Sequence, residues 1–293
     1  MSRVPFLALT IALVAVPAAA QQKVNRRIAI AGDVSIRITN LEGSTRIVGW
    51  DVDSLAVTGH VPPGATFYFG GNDRLAKMGV ERDLKAKPGG TSFLEVRVPR
   101  GARVWVKSVA GAIEVVGLTG EAELVSVGGM IRVEADCRLI QAETIDGSVE
   151  VTGASQVIRA RTGSGRIALS KLGAGGDLTA NTVSGPIVVS DGLPMGARLE
   201  TVSGAVTFEA DIDRRGRLEV QTHSGDVDLR LSPKVEAEFD LHSLGGHVVF
   251  GLLGKGGEAK PSPPGKPINR ATGGGGAQIT ARSFKGVIRV IPR

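Results

Sequence analysis

The chain contains one cysteine, Cys137, in 293 residues. No disulfide can therefore form within it. Aromatic residues make up only 4% of the sequence. A core made from this composition must use small β-branched side chains, which suit narrow stacked layers. Histidine is also rare: His60, His223, His242 and His247 form no His-x-x-x-His pair and no other metal-ligand spacing with carboxylates. His242 and His247 flank Gly246, and a stacked fold would put them one layer from His223. No metal and no cofactor are expected. After residue 20 there is no apolar run of roughly 20 residues, the length of a membrane-spanning helix. The formal charge of +6 is modest and spread along the chain. It reads as solvated strand faces, with no nucleic-acid partner.

Catalytic signatures are missing too. Gly163-Ser-Gly165 is a repeated turn and not a nucleophile elbow between a strand and a helix. Gly173-Ala-Gly-Gly176 and the run Gly273 to Gly276 lack the Lys-Ser/Thr of a phosphate loop. Asp146, Asp226 and Asp228 are candidates for sugar cleavage, which needs two carboxylates converging at a cleft. They alternate with apolar residues, as solvated strand positions do, and turns favour Asp. The chain is expected not to be an enzyme, with no catalytic residue, and the sequence alone assigns no binding residue. Cys137 shares the parity of Val133 and Ala135, so it should point inward as a small hydrophobe.

What is present begins with a targeting segment. Arg3, the uncharged apolar stretch Phe6 to Val16 and Ala18-Ala19-Ala20 read as a signal peptide over 1–20, with the mature chain starting at Gln21. The protein is expected to be exported to the periplasm, the cell surface or the medium.

The rest is dominated by one repeat: apolar, x, Thr/Ser, apolar, x, Gly, x, Val/Ile, x, apolar. It occurs around Gly111, Gly129, Gly147, Gly165, Gly185, Gly204, Gly225, Gly246 and Gly286, with a poorer copy around Gly43. The intervals from Gly111 to Gly246 are 18, 18, 18, 20, 19, 21 and 21 residues. One copy cannot bury its own apolar face, but stacked copies share a continuous core. The pattern predicts an all-β chain, a β-solenoid of stacked coils of roughly 18–21 residues. A meander of two-stranded hairpins, each turning at Ser-Gly, is the rival arrangement. In either, the glycine is expected where the backbone needs positive φ. The Ser/Thr column Ser108, Ser126, Thr144, Thr162, Thr182, Thr201, Thr222 and Ser243 is expected to bond to its neighbours or to the turn backbone.

The chain divides into a β-rich N-terminal capping region at 21–100, solenoid repeats at 101–251, a Gly/Pro/Lys-rich loop at 252–278 and a terminal repeat at 279–293. Leu75 to Leu84 is charged and reads as a short helix or a loop. The 252–278 stretch reads as a mobile basic insertion carrying Lys255, Lys260, Lys266 and Arg270.

Asn40-Leu-Glu-Gly43, Val48-Gly-Trp-Asp51, Leu55-Ala-Val57, Leu94 to Gly101, the Thr-Val-Ser-Gly copies at 182–185 and 201–204, and Gly274 to Ile279 occur in a characteristic order. In these the chain resembles the bacterial putative-adhesin family of β-strand-repeat proteins. The resemblance implies a β-solenoid-like fold, an envelope location and no catalytic residues. The expected function is a non-catalytic, adhesin-like binding or scaffold module of the cell envelope, its partner an envelope glycan or protein. The alternatives are a glycan-active β-helix enzyme and a periplasmic sensory or assembly partner.

Overall fold

The computed structural model describes residues 21–82, 90–252 and 260–293; the expected signal peptide lies outside them. These residues form two 13-stranded sheets, mostly parallel and open at both ends. They contain no helix.

Each regular copy gives the strand before its glycine to one sheet and the strand after it to the other. The Gly185 copy contributes Asp177–Thr182 and Ile187–Gly192 in this way. Both strands pair in parallel with the copies on either side. Asp177 faces Val157 and Gly196, while Ile187 faces Ile167 and Val206. The two strands of a copy therefore do not pair with each other, and the Ser-Gly hairpin does not form. Parallel stacking lets each inner strand use both edges, and the apolar residues of the two sheets then meet inside.

Ile113, Ile131, Val149, Ile167, Ile187, Val206, Val227 and Val248 all lie in that interior. Burying each contributes about 1.5–3 kcal/mol. In the Gly43 copy the same place is held by Thr45, buried, whose Oγ1 accepts a hydrogen bond from Asn40 Nδ2 at 3.1 Å. The Ser/Thr column is tied to the turn. The Gly204 N–H donates to Thr201 Oγ1 at 2.9 Å, and the Gly165 N–H to Thr162 Oγ1 at 3.1 Å. Thr162 Oγ1 in turn donates to the Gly147 carbonyl one copy away at 3.0 Å. Removing such an acceptor leaves a buried N–H unpaired, at a cost of about 1–3 kcal/mol.

The reason for the glycine column differs from the expected one. Of its members only Gly43 has positive φ. Instead, a Cβ on Gly129, Gly147, Gly165, Gly185, Gly204 or Gly225 would fall far inside contact with the carbonyl oxygen of the glycine one copy below. The turns stack so closely that no side chain fits between them.

Stack order departs from chain order at both ends. The Gly43 copy lies directly against the Gly111 copy: Ile38 faces Val106 and Ile47 faces Val115. The intervening chain forms a further layer, Leu75–Arg82 and Ser92–Pro99, on the outer side of the Gly43 copy. At the other end, the final copy, Ala277–Ser283 and Ile288–Pro292, inserts between the Gly225 and Gly246 copies. Ile279 faces Leu218 on one side and Phe239 on the other.

Antiparallel strands flank these ends. Gln22–Ala29, Ser54–Val61 and Ala65–Gly71 lie at the first end, and Ile268–Thr272 lies on Ala237–Ser243 at the second. Two local expectations change as a result. Leu75–Arg82 is a strand, not a helix or loop, because Ala76, Met78 and Val80 alternate inward against Ser35–Asn40. The 252–278 stretch contains the edge strand Ile268–Thr272, where Arg270 covers the Phe250 ring at 5.3 Å. Residues 253–259 lie outside those described.

Cys137 points inward, as its parity predicts, and is buried. Burial, and then the neighbouring Asp136 carboxylate, push its thiol up to about 12. A raised folded value means the contribution to stability is full below the ordinary thiol range and is lost as pH rises toward 12. At pH 8 the native protein should therefore resist a thiol-labelling reagent and become fully labelled in urea. Rapid native labelling would contradict this packing.

Candidate functional site

Outward-facing side chains form columns across each sheet, because registered copies place equivalent residues side by side. Many charges in these columns compensate one another between neighbouring copies. On one face Arg46 pairs with Glu114 at 3.6 Å and Arg132 with Glu150 at 2.8 Å. On the other, Arg138 pairs with Glu121 at 3.3 Å and Arg198 with Glu219 at 3.1 Å. Such exposed pairs contribute little to stability, but they leave neither face with a field of one sign.

A hollow of about 500 Å³ breaks this pattern on the second face. Its floor is a registered row, Arg37, Trp105, Glu123 and Gln141, one residue from each of four adjacent layers. Arg103 stands beside Trp105 in the next row, in register with Ser35 and Glu121. Strand alternation turns Trp105 outward while Val104 and Val106 are buried. Among the described residues, the side chains of Arg37, Arg103, Trp105 and Glu123 make no hydrogen bond or ion pair. The second tryptophan, Trp50, is committed: its Nε1–H donates to the Ser54 carbonyl at 2.9 Å and Arg27 lies over its ring at 5.2 Å. Trp105 thus offers a ring face and an N–H donor, with a free cation on one side and a free carboxylate on the other. Sequence reasoning missed it. The available signal was an aromatic at an outward position where other copies carry Glu123, Gln141, Arg159 or Arg198.

A second surface runs along the turns. The residue two before each column glycine is apolar in most copies and remains exposed: Val127, Ile145, Val183, Val202, Leu244 and Phe284 among them, with Ile145 and Val183 each 57% exposed. Backbone hydrogen bonds between copies, such as Val183 N–H to the Gly163 carbonyl at 3.0 Å, tie successive members of this ridge together. His223 takes the position in its copy and stacks on Phe284, ring centroids 4.9 Å apart.

The residues singled out for chemistry are held elsewhere. Asp226 and Asp228 both accept hydrogen bonds from Arg289 at 3.1 Å. These bonds, the one to Asp228 foremost, raise the guanidinium above its ordinary range. Asp146 accepts from the Ser164 hydroxyl at 3.1 Å. The three histidines do not approach as one-layer neighbours, because the final repeat separates the His223 copy from that of His242 and His247. His242 contacts the Gly265 carbonyl at 3.2 Å and His247 the Ser262 carbonyl at 2.9 Å. His60 stacks on Phe93. No cluster of three or more His, Cys, Asp or Glu residues able to hold a metal occurs among the described residues. The described residues, having no helix, contain none long and apolar enough to cross a membrane.

The class defined here is an all-β protein of two open, mostly parallel sheets with a polar aromatic hollow on one face. Among solved structures it is similar to a putative adhesin from Bacteroides fragilis, at 12% identity over 94% of this chain and 99% of that one, TM-score 0.41. It is also similar to a putative adhesin from Parabacteroides distasonis, at 11% identity over 92% and 98%, TM-score 0.40. A putative lipid binding protein from the same species matches at 12% identity over 91% and 96%, TM-score 0.40. The adhesin name is that of the family the sequence resembles. No family profile and no curated protein matches the chain. The architecture itself rests on the strand registers.

Proposed function

We propose that the chain is an exported β-solenoid serving as a non-catalytic, adhesin-like binding or scaffold module of the bacterial envelope, and that its partner is an extended glycan docked across Trp105. The Trp105 hollow carries this reading. A sugar ring presents an apolar C–H face suited to an indole and a rim of hydroxyls suited to charged and amide groups. Arg37, Glu123 and Gln141 lie in line with Trp105 along the stack, so successive sugars of a chain can meet successive layers. The periodic parallel pairing of the copies supports the solenoid.

The test uses residues 21–293 with immobilised envelope polysaccharide. Trp105→Ala should weaken retention by about 30-fold, the size of a central aromatic anchor. Tryptophan fluorescence of the wild type should change on binding. Retention unchanged by Trp105→Ala, or no retention of the wild type, defeats the reading.

A protein contact is the second reading, and the exposed ridge favours it. A second copy of this chain has the same spacing along its own ridge, so the two would match over many layers about a two-fold axis. Sedimentation should then show a dimer that Val183→Ser with Val202→Ser reduces to monomer. A wild type that stays monomeric at its highest soluble concentration removes this reading.

A further inference from the structure

Insertion of the final repeat brings together two turns far apart in the sequence. One is Asp213-Arg-Arg-Gly-Arg217, which leads into Arg217–Thr222. The other is the four-glycine turn Gly273 to Gly276, which joins Ile268–Thr272 to Ala277–Ser283. They meet because Arg217 is in register with Gln278, whose N–H donates to the Gly216 carbonyl at 2.9 Å. Between them lies a hollow of about 660 Å³ whose lining contains three arginines, Arg214, Arg215 and Arg217, and no acidic side chain.

Both turns are set up for an anion. Arg214 is partly taken up by Glu236 at 2.5 Å. Arg215 and Arg217 have no carboxylate partner among the described residues. The loop that carries them is fixed internally: the Arg215 N–H donates to Asp213 Oδ1 at 2.9 Å and the Gly216 N–H to the Asp213 carbonyl at 2.7 Å. On the other side, Gly273, Gly274 and Gly275 have φ of +59°, +87° and +85°. These values make the segment a turn, and successive backbone N–H groups in a turn are able to form an anion-binding concavity. Gly275 N–H is spent on the Thr272 carbonyl at 3.1 Å, whereas the N–H groups of Gly273, Gly274 and Gly276 have no acceptor among the described residues. Two carboxylate side chains adjoin the glycine turn, Glu236 against Gly273 and Glu238 against Gly275, but neither lines the hollow. The repeat does not require this arrangement, since among the described residues no other turn between copies has a run of consecutive positive-φ glycines.

We infer that the Arg214–Arg217 and Gly273–Gly276 turns form a binding site for a tetrahedral oxyanion, a phosphoryl group, with Arg215 and Arg217 as charged donors and the glycine N–H groups as the cradle. Guanidinium forks and backbone N–H groups together match the several acceptor oxygens of such a group. The group can be free phosphate or the headgroup of an anionic phospholipid. This site lies far along the stack from the Trp105 hollow and stands independently of the glycan reading.

The test titrates inorganic phosphate into residues 21–293 by calorimetry and, separately, measures retention on vesicles of phosphatidylcholine with and without phosphatidic acid. Arg215→Gln with Arg217→Gln should weaken phosphate binding by about ten-fold. Arg159→Gln with Arg166→Gln, which removes two arginines elsewhere, should leave it unchanged. Variant-sensitive retention on acidic vesicles identifies the headgroup as a source, and variant-sensitive phosphate binding alone identifies free phosphate. No binding in either arm overturns the site. So does an equal loss from the two double variants, which would mean diffuse positive charge only.

Discussion

Gly185→Ala should destabilise the protein by about 3 kcal/mol or more, a large effect for one added methyl group. The added Cβ would meet the Gly165 carbonyl and the Ser164 carbonyl below it. Both are backbone atoms, so no side-chain rotation can relieve the clash. A shift of Gly185 away from Gly165 would carry its own carbonyl toward Gly204, whose Cα hydrogen position is already crowded by that oxygen. Strain therefore propagates along the column. Gly70→Ala is the control: a Cβ there meets nothing within 4 Å, and φ is not positive. It should change stability by no more than about 0.5 kcal/mol. Urea midpoints of the two variants decide the matter, and similar midpoints would reject close stacking as the reason for the glycines.

Removing 277–293 should have an equally large effect of another kind. In a linear stack, losing the last repeat costs one interface. Here that repeat is internal, in contact with the Gly225 copy on one side and the Gly246 copy on the other. Truncation removes both contacts and leaves Ala237–Ser243 and Val248–Phe250 with no parallel partner. Residues 237–250 should then become sensitive to protease and lose amide-exchange protection, while the layers from Gly111 to Gly204 keep theirs. Continued protection of 237–250 in the truncated chain would show that the Gly246 copy docks directly on the Gly225 copy.

The two readings of the Trp105 hollow and the ridge also differ in what repetition provides. The ridge uses a position shared by most copies, so its chemistry is uniform along its length. The hollow depends on residues that depart from the pattern in adjacent copies, Trp105 above all. Uniform surfaces suit a partner with the same repeat, whereas an isolated aromatic with uncommitted neighbours suits a discrete ligand segment.

The sequence by itself determined the repeat, its period, the inward Val/Ile column and the Ser/Thr ladder. These follow from local alternation and from a need that each copy shares, to bury one face and satisfy one turn. It also determined that Cys137 faces inward. It did not determine the order of the stack, because parallel pairing between similar copies is nearly degenerate in local sequence terms. Only the tertiary structure placed the final repeat inside the stack and the Gly43 copy against Gly111. The glycine column was visible, but its cause was not: a positive-φ turn and a close backbone approach select the same residue, and only the distance to the layer below separates them. Of the two turns that meet at the proposed anion site, the glycine run Gly273 to Gly276 was visible in the sequence, whereas the Asp213–Arg217 loop carried no signal of its own. Their meeting depends on a register between Arg217 and Gln278 that no local pattern encodes.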